Sequence, residues 1–175
     1  MAESSAAGVA ERATKKSPRR LSTGILVEPV FCPTDVDSPF DTVQWETRTA
    51  AIVAKNFKEL GFAVTEGIGK TGVVGVLKNG PGPTVWFRAD MDANAVREAT
   101  GLAWAATEPQ QLADGTELDV MHACGHDAHV TWLLGLAKAM VDMKADWSGT
   151  LVVYAQPAEE VGLGAQAMVE DKLWE

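Results

Sequence analysis

The run Gly72-Val73-Val74-Gly75-Val76-Leu77 is the segment that most restricts what this chain can fold into. It has no polar alternate, is too short for a helix and is bounded by turn residues, so it reads as a buried strand rather than a half-wet one. A buried strand needs cover, and helical periodicity on either side supplies it. Ala50, Val53, Ala54, Phe57 and Leu60 recur at three-four spacing on one helical face, with Asp41 and Gln44 as capping residues upstream and Gly61 as the stop. Asp127 to Met143 predicts a second helix with Val130, Leu133, Leu134, Ala137 and Val141 inward. Phe62 to Thr65 is a short strand candidate, and Thr150 to Gln156 is a strand between Gly149 and Pro157. Ala165 to Leu173 predicts a short final helix. The dense turn chemistry of Lys78 to Pro83 leads into Thr84 to Ala89, so 72–89 is expected to be a hairpin. Residues 90–123 read as a long irregular loop. Strands interleaved with helices predict an α/β fold with a mixed sheet.

Charge narrows the function classes. The 175 residues carry a net charge of −9, which argues against a general nucleic-acid binder. No run of eighteen apolar residues is present, which argues against a transmembrane helix. Residues 1–20 hold Arg12, Lys15, Lys16, Arg19 and Arg20 against Glu3 and Glu11, are rich in Ala and Ser, and lack apolar periodicity. Residues 1–40 are therefore expected to be a flexible or divergent leader, and 41–175 the folded part. Arg19-Arg20 before Leu21 to Phe31 faintly resembles a twin-arginine leader, but Glu28 and Pro29 break its apolar run. Two cysteines, Cys32 and Cys124, cannot build a disulfide framework, so a reducing, cytoplasmic setting is the expectation.

All three histidines lie in Met121-His122-Ala123-Cys124-Gly125-His126-Asp127-Ala128-His129, and Glu159-Glu160 follow the last strand. Cysteine, histidine and carboxylate are ligands of divalent transition metals. A glycine between Cys124 and His126 lets both side chains turn to one point. The plain alternative is a helix start: histidines solvated near an N-terminus, a small buried cysteine, and acids favoured by the helix dipole.

The strings Arg88-Ala89-Asp90-Met91-Asp92-Ala93, Thr100-Gly101-Leu102, Met121 to Asp127 and Gln156-Pro157-Ala158-Glu159-Glu160 stand in one order. This resembles the amidohydrolase family of hippurate hydrolase, N-acyl-amino-acid amidohydrolases and plant auxin-conjugate hydrolases, within the dinuclear metallopeptidases of family 20 type, from about Glu46 to Glu175. The resemblance implies a mixed-sheet catalytic domain that binds two divalent metal ions, zinc or manganese, with cobalt or nickel also accommodated. It implies Cys124, His126 and Glu160 as metal ligands. Glu159 matches the general base that deprotonates the attacking water and then protonates the leaving amine. Asp90 matches an acid that orients the site from behind a ligand. Asp127 is read equally as a partner behind a ligand or as the helix N-cap, and His122 and His129 are read as supporting residues. The implied substrate is a small N-acyl amino acid, hippurate-like or another conjugate. The full-length family member is expected to be a homodimer, with no nucleic-acid or membrane partner.

The sequence departs from the family pattern in places. Pro33 to Phe40 stand where a His-x-x-Pro-Glu-Leu segment is usual, and Asn94-Ala95 where Leu-Pro is usual. The family chain is about twice as long, with two later histidine ligands and an inserted dimerisation domain, whereas no histidine follows Glu160 here. The expectation is therefore an N-terminal half, inactive alone and prone to self-association through an open sheet edge. The alternative is a non-catalytic remnant or a partner-binding half-domain. Trp86, Trp104, Trp132, Trp147 and Trp174 are expected mostly in the core, with Trp104 the candidate for the substrate side.

Overall fold

A computed structural model describes residues 46–107, 109–111 and 115–173. The expected leader and the Asp41 cap lie outside these residues. The elements are α1 (Thr47–Glu59), β1 (Ala63–Ile68), β2 (Gly72–Asn79), β3 (Thr84–Asp90), β4 (Gln110–Gln111), β5 (Glu117–Leu118), α2 (His126–Asp142), a 3-10 turn at Lys144–Asp146, β6 (Gly149–Gln156) and α3 (Gly164–Glu170). The main sheet runs β1-β2-β6-β3. β1 and β6 are antiparallel to β2, and β3 is parallel to β6. This is the mixed-sheet α/β fold that the sequence predicts.

β2 and β3 are not a hairpin, because β6 lies between them. Residues 80–83 connect β2 to β3, and four residues can span the roughly 10 Å of two strand spacings. The turn chemistry there receives β6. Asn79 Nδ2 donates to the carbonyls of Lys144 and Trp147 at 2.8 and 2.7 Å, which seats the segment entering β6. Thr150 N donates to Pro83 O at 2.9 Å. Gly149 is required here: its φ is +126°, and a Cβ would stand 2.3 Å from Pro83 O. The true hairpin is β1–β2. A parallel β3–β6 pair needs a long crossover, and α2 forms its main element.

Both faces of β2 are covered, as its apolar run requires. Val73 and Leu77 join Val53, Phe57, Val130, Leu133 and Val153 in the main core, formed with α1 and α2. Val74 on the opposite face packs with Val152 and Met168 of α3. Gly75 leaves room for the stacked pair Phe57–Phe62, because a Cβ would meet Phe57 Cδ2 at 2.9 Å. Two tryptophans expected in the core, Trp86 at 41% and Trp132 at 61% exposure, are instead on the surface, and Trp104, the substrate-side candidate, is 61% exposed. β3 is an edge strand and Trp86 faces out from it, Trp132 stands on the outer side of α2, and Trp104 rides the loop after β3.

The packing sets two expectations for urea unfolding. Phe57→Ala empties a fully buried site and lowers stability by about 3–5 kcal/mol. Gly75→Val drives a branched side chain into Phe57 and Phe62 and costs about 1–3 kcal/mol.

Candidate metal centre

The parallel pair brings the C-terminal ends of β3 and β6 side by side, where sites in α/β sheets gather. Met91 N donates to Gln156 O at 3.0 Å, so the two chains stay in step just past the strands. α2 begins at the same end. Its N-cap is Gly125 at φ +78°, a left-handed residue that lets the chain turn from Cys124 into His126. Asn94 and Met121 bridge through both backbone groups, and Asn94 Oδ1 accepts from Cys124 N at 3.2 Å. Asn94 stands where the family pattern has leucine, and it holds the cysteine loop.

Asp92 organises the side chains. It is 1% exposed. Its Oδ1 lies 2.9 Å from His126 Nδ1, and its Oδ2 accepts from Glu160 N at 2.9 Å. Its backbone oxygen lies 3.0 Å from His126 Nδ1 and 3.1 Å from His122 Nδ1. A carbonyl can only accept, so both imidazoles carry their proton on Nδ1. The Nε2 lone pair of His126 is therefore free and faces Glu159 Oε2 at 3.7 Å and Glu160 Oε1 at 3.8 Å. Burial pushes the Asp92 carboxyl above the ordinary carboxylate value, opposed by the Glu160 amide and by His126.

Cys124 and Glu160 are in contact. A hydrogen bond from the thiol holds the Glu160 carboxyl below its ordinary value, and the same bond pushes the thiol up. Glu160 Oε1 is nonetheless buried and has no hydrogen-bond partner among the described residues. An orphaned carboxylate oxygen and a free imidazole nitrogen at one point, with a thiol in contact with the carboxylate, suit a divalent cation. His126, Glu159 and Glu160 offer ligand atoms all within 4.8 Å of one another.

The structure thus brings Cys124, His126, Glu159 and Glu160 together. Two sequence expectations change. The acid that hydrogen-bonds His126 from behind is Asp92, not Asp90. Asp90 is paired with Arg88 Nε at 2.9 Å and lies 3.5 Å from His129 Nδ1, and Asp90, His126 and His129 offer ligand atoms within 4.8 Å of one another. His129 stacks on His126 with ring centroids 5.1 Å apart, and Trp132 follows at 5.6 Å. Phe87, Arg88, Asp90, His129 and Trp132 line a cavity of about 250 Å³ beside the centre. Asp127 is neither N-cap nor behind a ligand: it is exposed, and its Oδ1 accepts from Ala128 N at 2.8 Å. Trp104 is exposed. Sequence reasoning passed over Asp92, although the two-residue period of an extended chain already set it beside Asp90.

The class is thereby defined: an α/β protein with a candidate cation centre of thiol, imidazole and paired carboxylates at the ends of parallel strands. Comparison with known proteins gives the family. Residues 86–175 match the model of peptidase family M20/M25/M40, and the chain belongs to that family. It is 47% identical over 131 residues to a hippurate hydrolase of Campylobacter jejuni, covering 74% of this chain and 31% of that protein. It is 39% identical over 125 residues to an Arabidopsis thaliana IAA-amino acid hydrolase, covering 71% and 26%. Among solved structures, a Bacillus subtilis dinuclear metal binding peptidase of the M20 family superposes with a TM-score of 0.65 at 28% identity, covering 80% of this chain and 36% of that one. The chain spans about a third of the length of these relatives.

Asp92→Ala is expected to lower stability by about 1–3 kcal/mol, read by urea unfolding, because it leaves the Glu160 amide unpaired and His126 Nδ1 with only the backbone carbonyl of residue 92.

Proposed function

We propose that this chain contributes a metal-ligating, proton-transferring part of an enzyme that hydrolyses the amide bond of N-acyl amino acids. The observation that carries the proposal is the convergence of His126 Nε2, the buried, unpartnered Glu160 Oε1 and Glu159 Oε2 on one point. The hippurate and IAA-amino acid hydrolases among the relatives support an acyl amino acid as substrate. The dinuclear metal binding relative supports two metal ions, and this donor set suits divalent zinc or manganese, with cobalt or nickel also accommodated.

Cys124, His126 and Glu160 would hold metal, and bound cations would polarise the scissile carbonyl and acidify water. The remaining steps belong to the chain's own side chains. Glu159 and Glu160 divide the work. Glu160 is anchored through its amide to Asp92 and touches Cys124, so its carboxylate is fixed in the ligand set. Glu159 keeps 42% of its side chain exposed and faces the same imidazole, which suits a base that takes a proton from the attacking water and delivers it to the leaving amine. Asp92 holds the His126 proton on Nδ1, which keeps Nε2 available as a ligand.

Two measurements test this reading. Calorimetric titration of the chain with zinc and with manganese should show binding that Cys124→Ala, His126→Ala and Glu160→Ala each weaken by about tenfold or more. Failure of every divalent ion tried to bind, or equal binding by all three variants, would sink the metal assignment. In the gene product that carries this chain, Glu159→Gln should lower glycine release from hippurate by about 10²–10⁴-fold while zinc binding persists. Unchanged turnover would remove Glu159 from the proton path.

A further inference from the structure

The carboxylate of Glu46 is fully buried, at the residue that precedes α1. A short polar side chain at this position ordinarily caps the first turn of its own helix. Here no side-chain cap bond is made. Glu46 Oε1 instead accepts from Ala158 N at 2.7 Å, across 112 residues of sequence, and that bond is itself buried. Glu46 Oε2 accepts from Thr71 Oγ1, in the β1–β2 turn, at 2.7 Å. A buried charge is costly, so the position of this carboxylate is closely determined by its donors.

Ala158 has φ +45°, a left-handed conformation that a residue with a Cβ adopts only when its surroundings hold it there. Those surroundings are visible. Pro157 precedes it with a restricted φ and no amide hydrogen. Ala158 O accepts from Leu163 N at 3.3 Å and Gly164 N at 3.0 Å, and Gly162 N donates to Glu159 O at 2.8 Å. A Cβ on Gly164 would stand 1.6 Å from Pro157 O, so the turn is closed backbone on backbone. On the outer side Asp92 takes Glu160 N, and on the inner side Glu46 takes Ala158 N. Between those two anchored amides lies Glu159.

We propose that Glu46 is a positioning residue of the centre: its carboxylate clamps the amide of Ala158 and so holds the left-handed turn that aims Glu159 and Glu160 at His126. This rests on the metal-centre reading above for its consequence, but not for its geometry. The start of α1 is thereby a structural part of a site whose side chains all lie beyond residue 90.

The test uses the full 175-residue chain with Glu46→Ala, Glu46→Gln and, as a core control on the same helix, Val53→Ala, which removes methyls from a fully buried position in α1. One readout is amide hydrogen exchange at Ala158 to Glu160. The other is cobalt(II) affinity, followed by thiolate-to-cobalt charge-transfer absorption. Glu46→Ala should speed exchange at Ala158 about tenfold or more relative to β6 and weaken cobalt binding about tenfold or more. Glu46→Gln keeps an acceptor for Ala158 N and can donate to Thr71 Oγ1, so both readouts should stay within about threefold of wild type. Val53→Ala should lower thermal stability and leave both readouts in place. Where the alanine variant is unfolded, Glu46→Asp, one methylene shorter, replaces it with the same expectation. The clamp is overturned if the Glu46 variant leaves Ala158 protection and cobalt affinity unchanged, if faster exchange leaves affinity unchanged, or if Val53→Ala reproduces both effects. A wild-type chain that takes no cobalt sinks the metal centre instead. The clamp is then decided by exchange alone: about tenfold faster at Ala158 in the variant supports it, and an equal rate overturns it.

Discussion

One buried carboxylate joins the three segments that make the centre. Asp92 follows β3, and it binds the first residue of α2 through His126 and the turn after β6 through the amide of Glu160. Both oxygens are used, as burial of a charge demands. The pairing also decides chemistry: by keeping the His126 proton on Nδ1 it leaves Nε2 facing the carboxylates of Glu159 and Glu160. If the three segments drifted independently, the same side chains would have no common point.

The sheet makes that pairing possible. β3 and β6 run parallel in register, so both chains leave the sheet at the same edge, and the crossover through α2 returns its N-terminus there. Inserting β6 between β2 and β3 sets the order. That insertion depends on Asn79 holding the 144–147 segment and on two backbones meeting at Gly149. Core and site are mechanically continuous. α1 packs Phe57 under Gly75, and the residue before it, Glu46, reaches the turn that carries the glutamates.

Much of this was legible in the chain. The run 72–77 read as a buried strand and is one, because an apolar segment without polar alternates has only one stable environment. The helices α1 and α2 followed from their three-four spacing and lie within a few residues of expectation on their inner faces. The cluster Cys124, His126, Glu159 and Glu160 was recognisable as unusual chemistry placed close in sequence or in motif. The hairpin expected over 72–89 was not there, since a turn signal states that the chain bends and not which strand becomes its neighbour. The tryptophans misled for a related reason: an aromatic in a strand or helix pattern marks a face, and whether that face is covered depends on elements elsewhere.

Sequence alone determined the element types, the mixed α/β class and the identity of the ligand-bearing strings, because these depend on local periodicity and on residue chemistry. Tertiary structure decided that β6 separates β2 from β3, that Asp92 rather than Asp90 bonds His126, and that Glu46 meets Ala158. Each of these is a contact between segments far apart in the chain. Such contacts are selected by the satisfaction of buried backbone and carboxylate groups in three dimensions, which no local pattern records.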